Sequence, residues 1–143
     1  VDGSLIWDIL TISSFIKTQN LLSIAISDVG DLFAITSSGD IFKIQSDNGT
    51  IIWSRNAAES LYANATDFFR SSEIVIDNDQ LYFSAENNFY SYDVNNGNTN
   101  WKANLHSIGT PIVSKNNIFV MTSNGYLVFI ENKNYYTLYL RND

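Results

Sequence analysis

No cysteine occurs among the 143 residues, which excludes disulfides, thiolate nucleophiles and thiolate metal sites and fits any compartment. A single proline, Pro111, leaves most of the turn chemistry to glycine and asparagine. Basic residues are scarce: eight Lys and Arg against fifteen Asp and Glu give a net charge of −7. The eight are scattered along the chain, whereas a phosphate-tracking surface needs them clustered, so nucleic acid is not an expected partner. An anionic membrane surface is disfavoured for the same reason. The one histidine, His106, has no Gly-x-Ser-x-Gly nucleophile motif to serve and reads as a turn or rim residue. Phosphate-binding glycine patterns are missing too. "DVNNGN" at 93–98 departs from a calcium loop in the place of its glycine and in lacking the bidentate glutamate, so it reads as a β-turn. No apolar run reaches the roughly 18 residues that span a bilayer. "VDGSLIW" lacks the charged and hydrophobic regions of a signal peptide, so any targeting segment is expected upstream of residue 1.

What is present is a hydrophobic fraction of 45% with 14% aromatics, rich in Ile, Ser, Thr and Asn, a mixture that favours strands joined by polar turns. "SYDVNNGNTNW" at 91–101 places Trp101 four residues after Gly97. "KIQSDNGTIIW" at 43–53 repeats the interval with Gly49 and Trp53, and the tail of another copy carries Gly3 and Trp7. A decayed copy, "FIENKNYYTLY" at 129–139, has Tyr135 in the glycine place and Tyr139 in the tryptophan place. The aromatic positions 7, 53, 101 and 139 are spaced by 46, 48 and 38 residues. Periods of this size signal solenoids, propellers or arrays.

Each period holds four short runs rich in β-branched and aromatic residues, at the 8–12-residue spacing of antiparallel strands. "DNG" at 47–49 and "NNG" at 95–97 supply hairpin turns, since Gly and Asn tolerate positive φ. Four strands per period describe a propeller blade. The expected fold is therefore all-β: a partial propeller of three four-stranded antiparallel blades at 22–56, 71–105 and 109–141, with an orphan fourth strand at 4–9, the whole of 1–143 forming one unit. A blade has two apolar faces and needs a neighbour on each. The recurring aromatic is expected to wedge between successive blades, its indole N–H bonded to a carbonyl, with Gly97 making the turn that aims Trp101.

These residues resemble the tryptophan-docking repeat of PQQ-like propellers, roughly Ala-x-Asp-x-x-Thr-Gly-x-x-x-Trp. In the copy at 91–101, Ser91 stands for the alanine, Asp93 is the aspartate, Asn96 stands for the threonine, and Gly97 and Trp101 match. The copy at 43–53 keeps Gly49 and Trp53 but has Lys43 and Gln45 in the first two places. The resemblance implies a blade-docking role for Gly3, Trp7, Gly49, Trp53, Asp93, Gly97, Trp101 and Tyr139. The family's dehydrogenases use PQQ stacked on tryptophan, calcium held by carboxylate and amide groups, a catalytic aspartate and often a vicinal disulfide. Here no disulfide is possible and no acidic cluster stands out, so no catalytic, metal or cofactor residue is assigned. The chain looks more like the non-enzymatic BamB branch. That likeness implies a protein-interaction scaffold outside the cytoplasm, periplasmic and outer-membrane associated if lipidated, with a role in outer-membrane protein assembly. A fragment of a PQQ-dependent dehydrogenase and an extracytoplasmic sensor domain are the alternatives.

Propellers close with about four to eight blades, so three and a quarter are expected to belong to a longer propeller or to assemble with other chains. The open blade faces would then meet the remaining blades, a protein partner or a second copy. Residues 57–70, "AAESLYANATDFFR", interrupt the strand rhythm. Leu61, Tyr62, Phe68, Phe69 and Arg70 form a candidate interaction loop, the alternative being a cap on the core. Asp28, Asp31, Asp40, Asp77 and Asp79 fall at expected turns and read as solvated acids or as a rim steering a basic partner.

Overall fold

A computed structural model describes residues 2–11, 23–58, 69–107 and 109–131, and the backbone of 137–140. Within these residues lie twelve strands in three four-stranded antiparallel sheets. The first sheet is β1 (Ser23–Ile26), β2 (Leu32–Ile35), β3 (Asp40–Ile44) and β4 (Ile51–Asn56). The second is β5 (Val75–Asp77), β6 (Gln80–Ala85), β7 (Asn88–Asp93) and β8 (Thr99–Ala103). The third is β9 (Ile112–Ser114), β10 (Asn117–Met121), β11 (Leu127–Glu131) and β12 (Thr137–Leu140). In every sheet spatial order follows chain order, as short hairpins require, and β5 contacts both β1 and β9 across the sheets. The three sheets are successive blades of a β-propeller fold.

Period-two alternation decides which side chain faces which blade. In the first blade Phe33, Ile35, Ile41 and Trp53 point toward the second and pack on Ile74, Leu81, Phe83, Tyr90 and Tyr92. The opposite face of the second blade sends Tyr82, Phe89 and Trp101 against Ile118, Val120, Val128 and Ile130 of the third. The side-chain stack is aromatic: Phe83 lies 5.3 Å from Tyr90 and 5.1 Å from Tyr92, one stacked and one edge-on, within the range where such pairs attract. The second blade is thus covered on both faces.

Two expectations need correction. Residues 4–9, read as an orphan strand, form no strand. The described residues contain no antiparallel neighbour for them, and a strand without a partner has no ladder to hold it. Tyr139 does not occupy the docking register. In the first two blades the ladders run Ile44↔Ile51 then Lys43↔Trp53, and Tyr92↔Thr99 then Ser91↔Trp101. Each skips one residue, Ile52 or Asn100, as a bulge. The third blade starts at the matching pair, Ile130↔Thr137, but continues without a skip to Phe129↔Leu138 and Val128↔Tyr139. Without the bulge, the Tyr139 backbone pairs one place beyond the position that Trp53 and Trp101 pair with in their blades.

Candidate functional site

The tryptophan seats are built across blade boundaries. Asp93 Oδ1 accepts the N–H groups of Asn95 and Asn96 at 2.8 and 3.1 Å, and Gly97 N donates to the Asp93 carbonyl at 2.8 Å. This closed turn holds Gly97 at φ +70°, a conformation that costs a residue with a Cβ roughly 1–2 kcal/mol. The turn at 45–50 repeats the backbone pattern with Gln45, whose carbonyl accepts Gly49 N at 2.9 Å. Asn48 and Asn96 each accept the N–H two residues on, from Thr50 and Asn98.

Each glycine carries the tryptophan of the preceding segment. A Cβ at Gly97 would stand 2.8 Å from Trp53, and one at Gly49 would stand 2.8 Å from Trp7. Trp53 Nε1 donates to the Val94 carbonyl at 3.0 Å and Trp7 Nε1 to the Ser46 carbonyl at 2.7 Å, two carbonyls that each lie three residues before the glycine. Gly97 makes the turn that leads into β8 and is also the floor under Trp53. Physically, the indole lies flat on backbone where no Cβ intrudes, with its N–H satisfied. Arg55, two residues after Trp53, bonds the Asn96 carbonyl at 2.6 Å and ties the same turn from outside. Trp101 is buried between Tyr82 and Phe89 against the third blade. Gly3, also at positive φ, has nothing within 4 Å of where its Cβ would be.

Sequence reasoning missed a set of buried serines. Ser23 Oγ accepts Ile74 N at 2.7 Å, linking the first two blades, and Ser84 Oγ accepts Ser107 N at 3.0 Å, linking the second and third. Ser107 Oγ in turn donates to the Met121 carbonyl at 2.8 Å. Serine at a strand end is common, so composition carries no signal for this role. Lys43, placed by the sequence in the repeat, gains a partner in the structure. It stands in the alanine place of the repeat, buried, paired with Asp31 at 3.0 Å and 5.7 Å above the Phe33 ring. Asp31 is therefore an ion-pair partner and not a free turn acid. Asp2, fully exposed, has its pKa lowered chiefly by the Ser4 N–H that its carboxylate accepts.

Of the candidate loop, Leu61, Tyr62 and Phe68 lie outside the described residues. Phe69 packs on the core shared by the first two blades and presses against Gly39, and the Arg70 carbonyl accepts Glu86 N at 2.9 Å. The His106 carbonyl does the same for Ser123 N, so Leu105 and His106 of the third blade stand where Phe69 and Arg70 stand in the second. The boundary between second and third blades holds a recess of about 990 Å³. Asn87, Asn88, Asn104, Thr122, Ser123 and Asn124 line it, together with Leu105, His106 and Tyr126. The lining is amide and hydroxyl, neutral donors and acceptors, and His106 Nδ1 is engaged by the Glu86 carbonyl. Among the described residues no group of three or more His, Asp or Glu side chains is placed to hold a metal ion.

With this geometry in hand, a family model described as outer membrane protein assembly factor BamB matches residues 1–134, and the chain belongs to that family. No curated protein matches it. Among solved structures, BamB from Moraxella catarrhalis is similar with a TM-score of 0.62 at 16% identity, over 79% of this chain and 37% of that one. Quinohemoprotein alcohol dehydrogenase from Comamonas testosteroni aligns with a TM-score of 0.63 at 15% identity, over 82% of this chain and 20% of that one. The computationally designed protein Ika4 gives 0.62 at 11% identity, over 89% of this chain and 74% of that one. At these identities the likeness is one of fold, and the chain spans about a third of the BamB structure and a fifth of the dehydrogenase.

Proposed function

We propose that this chain is a non-enzymatic scaffold that binds protein partners outside the cytoplasm, in the manner its family description suggests for outer-membrane protein assembly. The observation that carries the reading is the recess between the second and third blades. Its lining of asparagine, serine and threonine offers donors and acceptors suited to an extended peptide backbone, and buried serine links tie the two blades together. Rigid walls reduce the ordering cost that binding must overcome. The net charge of −7 favours encounter with a basic partner. A photo-crosslinking residue at Asn124, compared with one at Lys115 on another turn, tests this in cells: a specific protein adduct at 124 and none at 115 is expected. Equal labelling at both positions, or none, would count against the recess as the binding surface.

The second reading, a piece of a PQQ-dependent dehydrogenase, draws on the fold shared with the quinohemoprotein enzyme. Titration of PQQ with calcium, followed by fluorescence of the tryptophans, separates the two. The scaffold reading expects no saturable quenching, and a saturable, calcium-dependent signal supports the enzyme instead.

A further inference from the structure

Asparagine followed by glycine occurs at three turns: Asn48-Gly49, Asn96-Gly97 and Asn124-Gly125. The pair is chemically labile. With no Cβ on the second residue, its backbone nitrogen can reach the carboxamide carbon of the first without obstruction. In all three pairs the glycine N–H is engaged, by the carbonyls of Gln45, Asp93 and Thr122 at 2.9, 2.8 and 3.0 Å. Reaction therefore waits for the turn to open, and the three differ in what opening must break.

At Asn96-Gly97 it must break most. Gly97 is buried beneath the Trp53 ring, whose N–H is bonded to the Val94 carbonyl of the same turn. The carbonyl of the peptide bond that would have to rotate, that of Asn96, is held by Arg55 at 2.6 Å, and the Asn96 carboxamide accepts Asn98 N. Gly49 is half-buried under the Trp7 ring, with the Asn48 carboxamide on Thr50 N. Asn124 and Gly125 are both exposed, and nothing lies within 4 Å of where a Gly125 Cβ would be. Freeing Gly125 N costs its bond to Thr122, while Thr122 N stays on the Tyr126 carbonyl at 2.8 Å at the base of the turn. Ser123 Oγ donates to Asn124 Oδ1 at 3.1 Å. That oxygen gains negative charge when the carboxamide carbon is attacked, and a donor placed there stabilises it.

We propose that Asn124 is a site of spontaneous deamidation, a modification that makes the neutral recess between the second and third blades anionic, and that the tryptophan rings shield Asn48 and Asn96 from it. Gly125 N gives its proton to solvent base and bonds to Asn124 Cγ. The carboxamide nitrogen takes up a proton and leaves as ammonia, and a cyclic imide remains. Water then adds to one of the two imide carbonyls and breaks its bond to nitrogen. Opening on the side-chain carbonyl gives aspartate, and opening on the backbone carbonyl gives isoaspartate. Nothing is oxidised or reduced, and water is the co-reactant. Asn124 lines the recess among amide and hydroxyl groups, so either product brings a carboxylate to that lining.

The test follows the 143-residue chain in mildly alkaline buffer by peptide mass mapping, with a sample unfolded in urea as the reference. In urea the three pairs should convert at comparable rates. In the folded protein Asn124 should convert about tenfold or more faster than Asn96, with Asn48 between them, as graded local opening requires. Trp7→Ala should raise Asn48 to the rate of Asn124 with β circular dichroism unchanged. Equal rates at the three pairs of the folded protein overturn the proposal. So does an Asn124 that stays intact while the urea reference converts, a result that needs no variant to fold. Mass alone reads the conversion, so the outcome stands apart from whether the recess binds a partner.

Discussion

The second blade and the two that flank it are built from the same kinds of residue but live in different surroundings. In β6 and β7 nearly every position is buried, odd and even alike, because Leu81, Phe83 and Tyr90 face one neighbour while Tyr82 and Phe89 face the other. In β2 and β10 buried and partly exposed residues alternate, since among the described residues only one face has a neighbouring blade. The apolar residues on the other face are no less hydrophobic: Phe119 and Phe129 sit 5.3 Å apart on the outer side of the third blade. Burial in a blade is thus conferred by the next blade, and stability should be graded from the middle of the chain outward.

That gradient can be broken by substitution. Phe83→Ala, in the doubly covered blade, should cost about 3–5 kcal/mol of unfolding free energy in urea, and Phe119→Ala on an outer face about 1 kcal/mol. Similar losses at the two sites would erase the distinction between inner and outer blades. A smaller contrast lies in the glycines. Gly97→Ala should cost about 2–4 kcal/mol, because backbone strain is joined by a clash with an indole pinned through its N–H. Gly125→Ala, at φ +83° but with nothing within 4 Å, should cost only the roughly 1–2 kcal/mol of its backbone conformation. The smallest effect is expected at Arg55, exposed, where alanine should cost about 0.5–1 kcal/mol by freeing the Asn96 carbonyl to water. A loss at Arg55 equal to that at Gly97 would mean the turn is held mainly from outside.

The blades were legible because strand chemistry and turn chemistry agree locally: β-branched runs end at Asp47-Asn48-Gly49 and Asn95-Asn96-Gly97, and the structure turns at both. The tryptophans were legible as wedges since their spacing repeats. The identity of each floor was not. When every repeat keeps both Gly and Trp, pairing within a repeat and pairing between repeats leave the same pattern in the sequence. The bulges at Ile52 and Asn100 carry no distinctive residue, so the offset of Tyr139 was invisible as well. The polar recess gathers Asn87, Asn104 and Asn124 from separate turns, a meeting that exists only once the blades are stacked.

The measurement closest to the central claim is a double-mutant cycle on Trp53→Ala and Gly97→Ala, with Trp101→Ala and Gly97→Ala as the comparison cycle. If the indole of one blade rests on the glycine of the next, removing Trp53 should relieve much of the cost of the added methyl, giving a coupling of about 1–3 kcal/mol, while the Trp101 cycle stays additive within about 0.5 kcal/mol. Additivity between Trp53 and Gly97, or a larger coupling between Gly97 and Trp101, would show that glycine and tryptophan act within one repeat and would contradict the account.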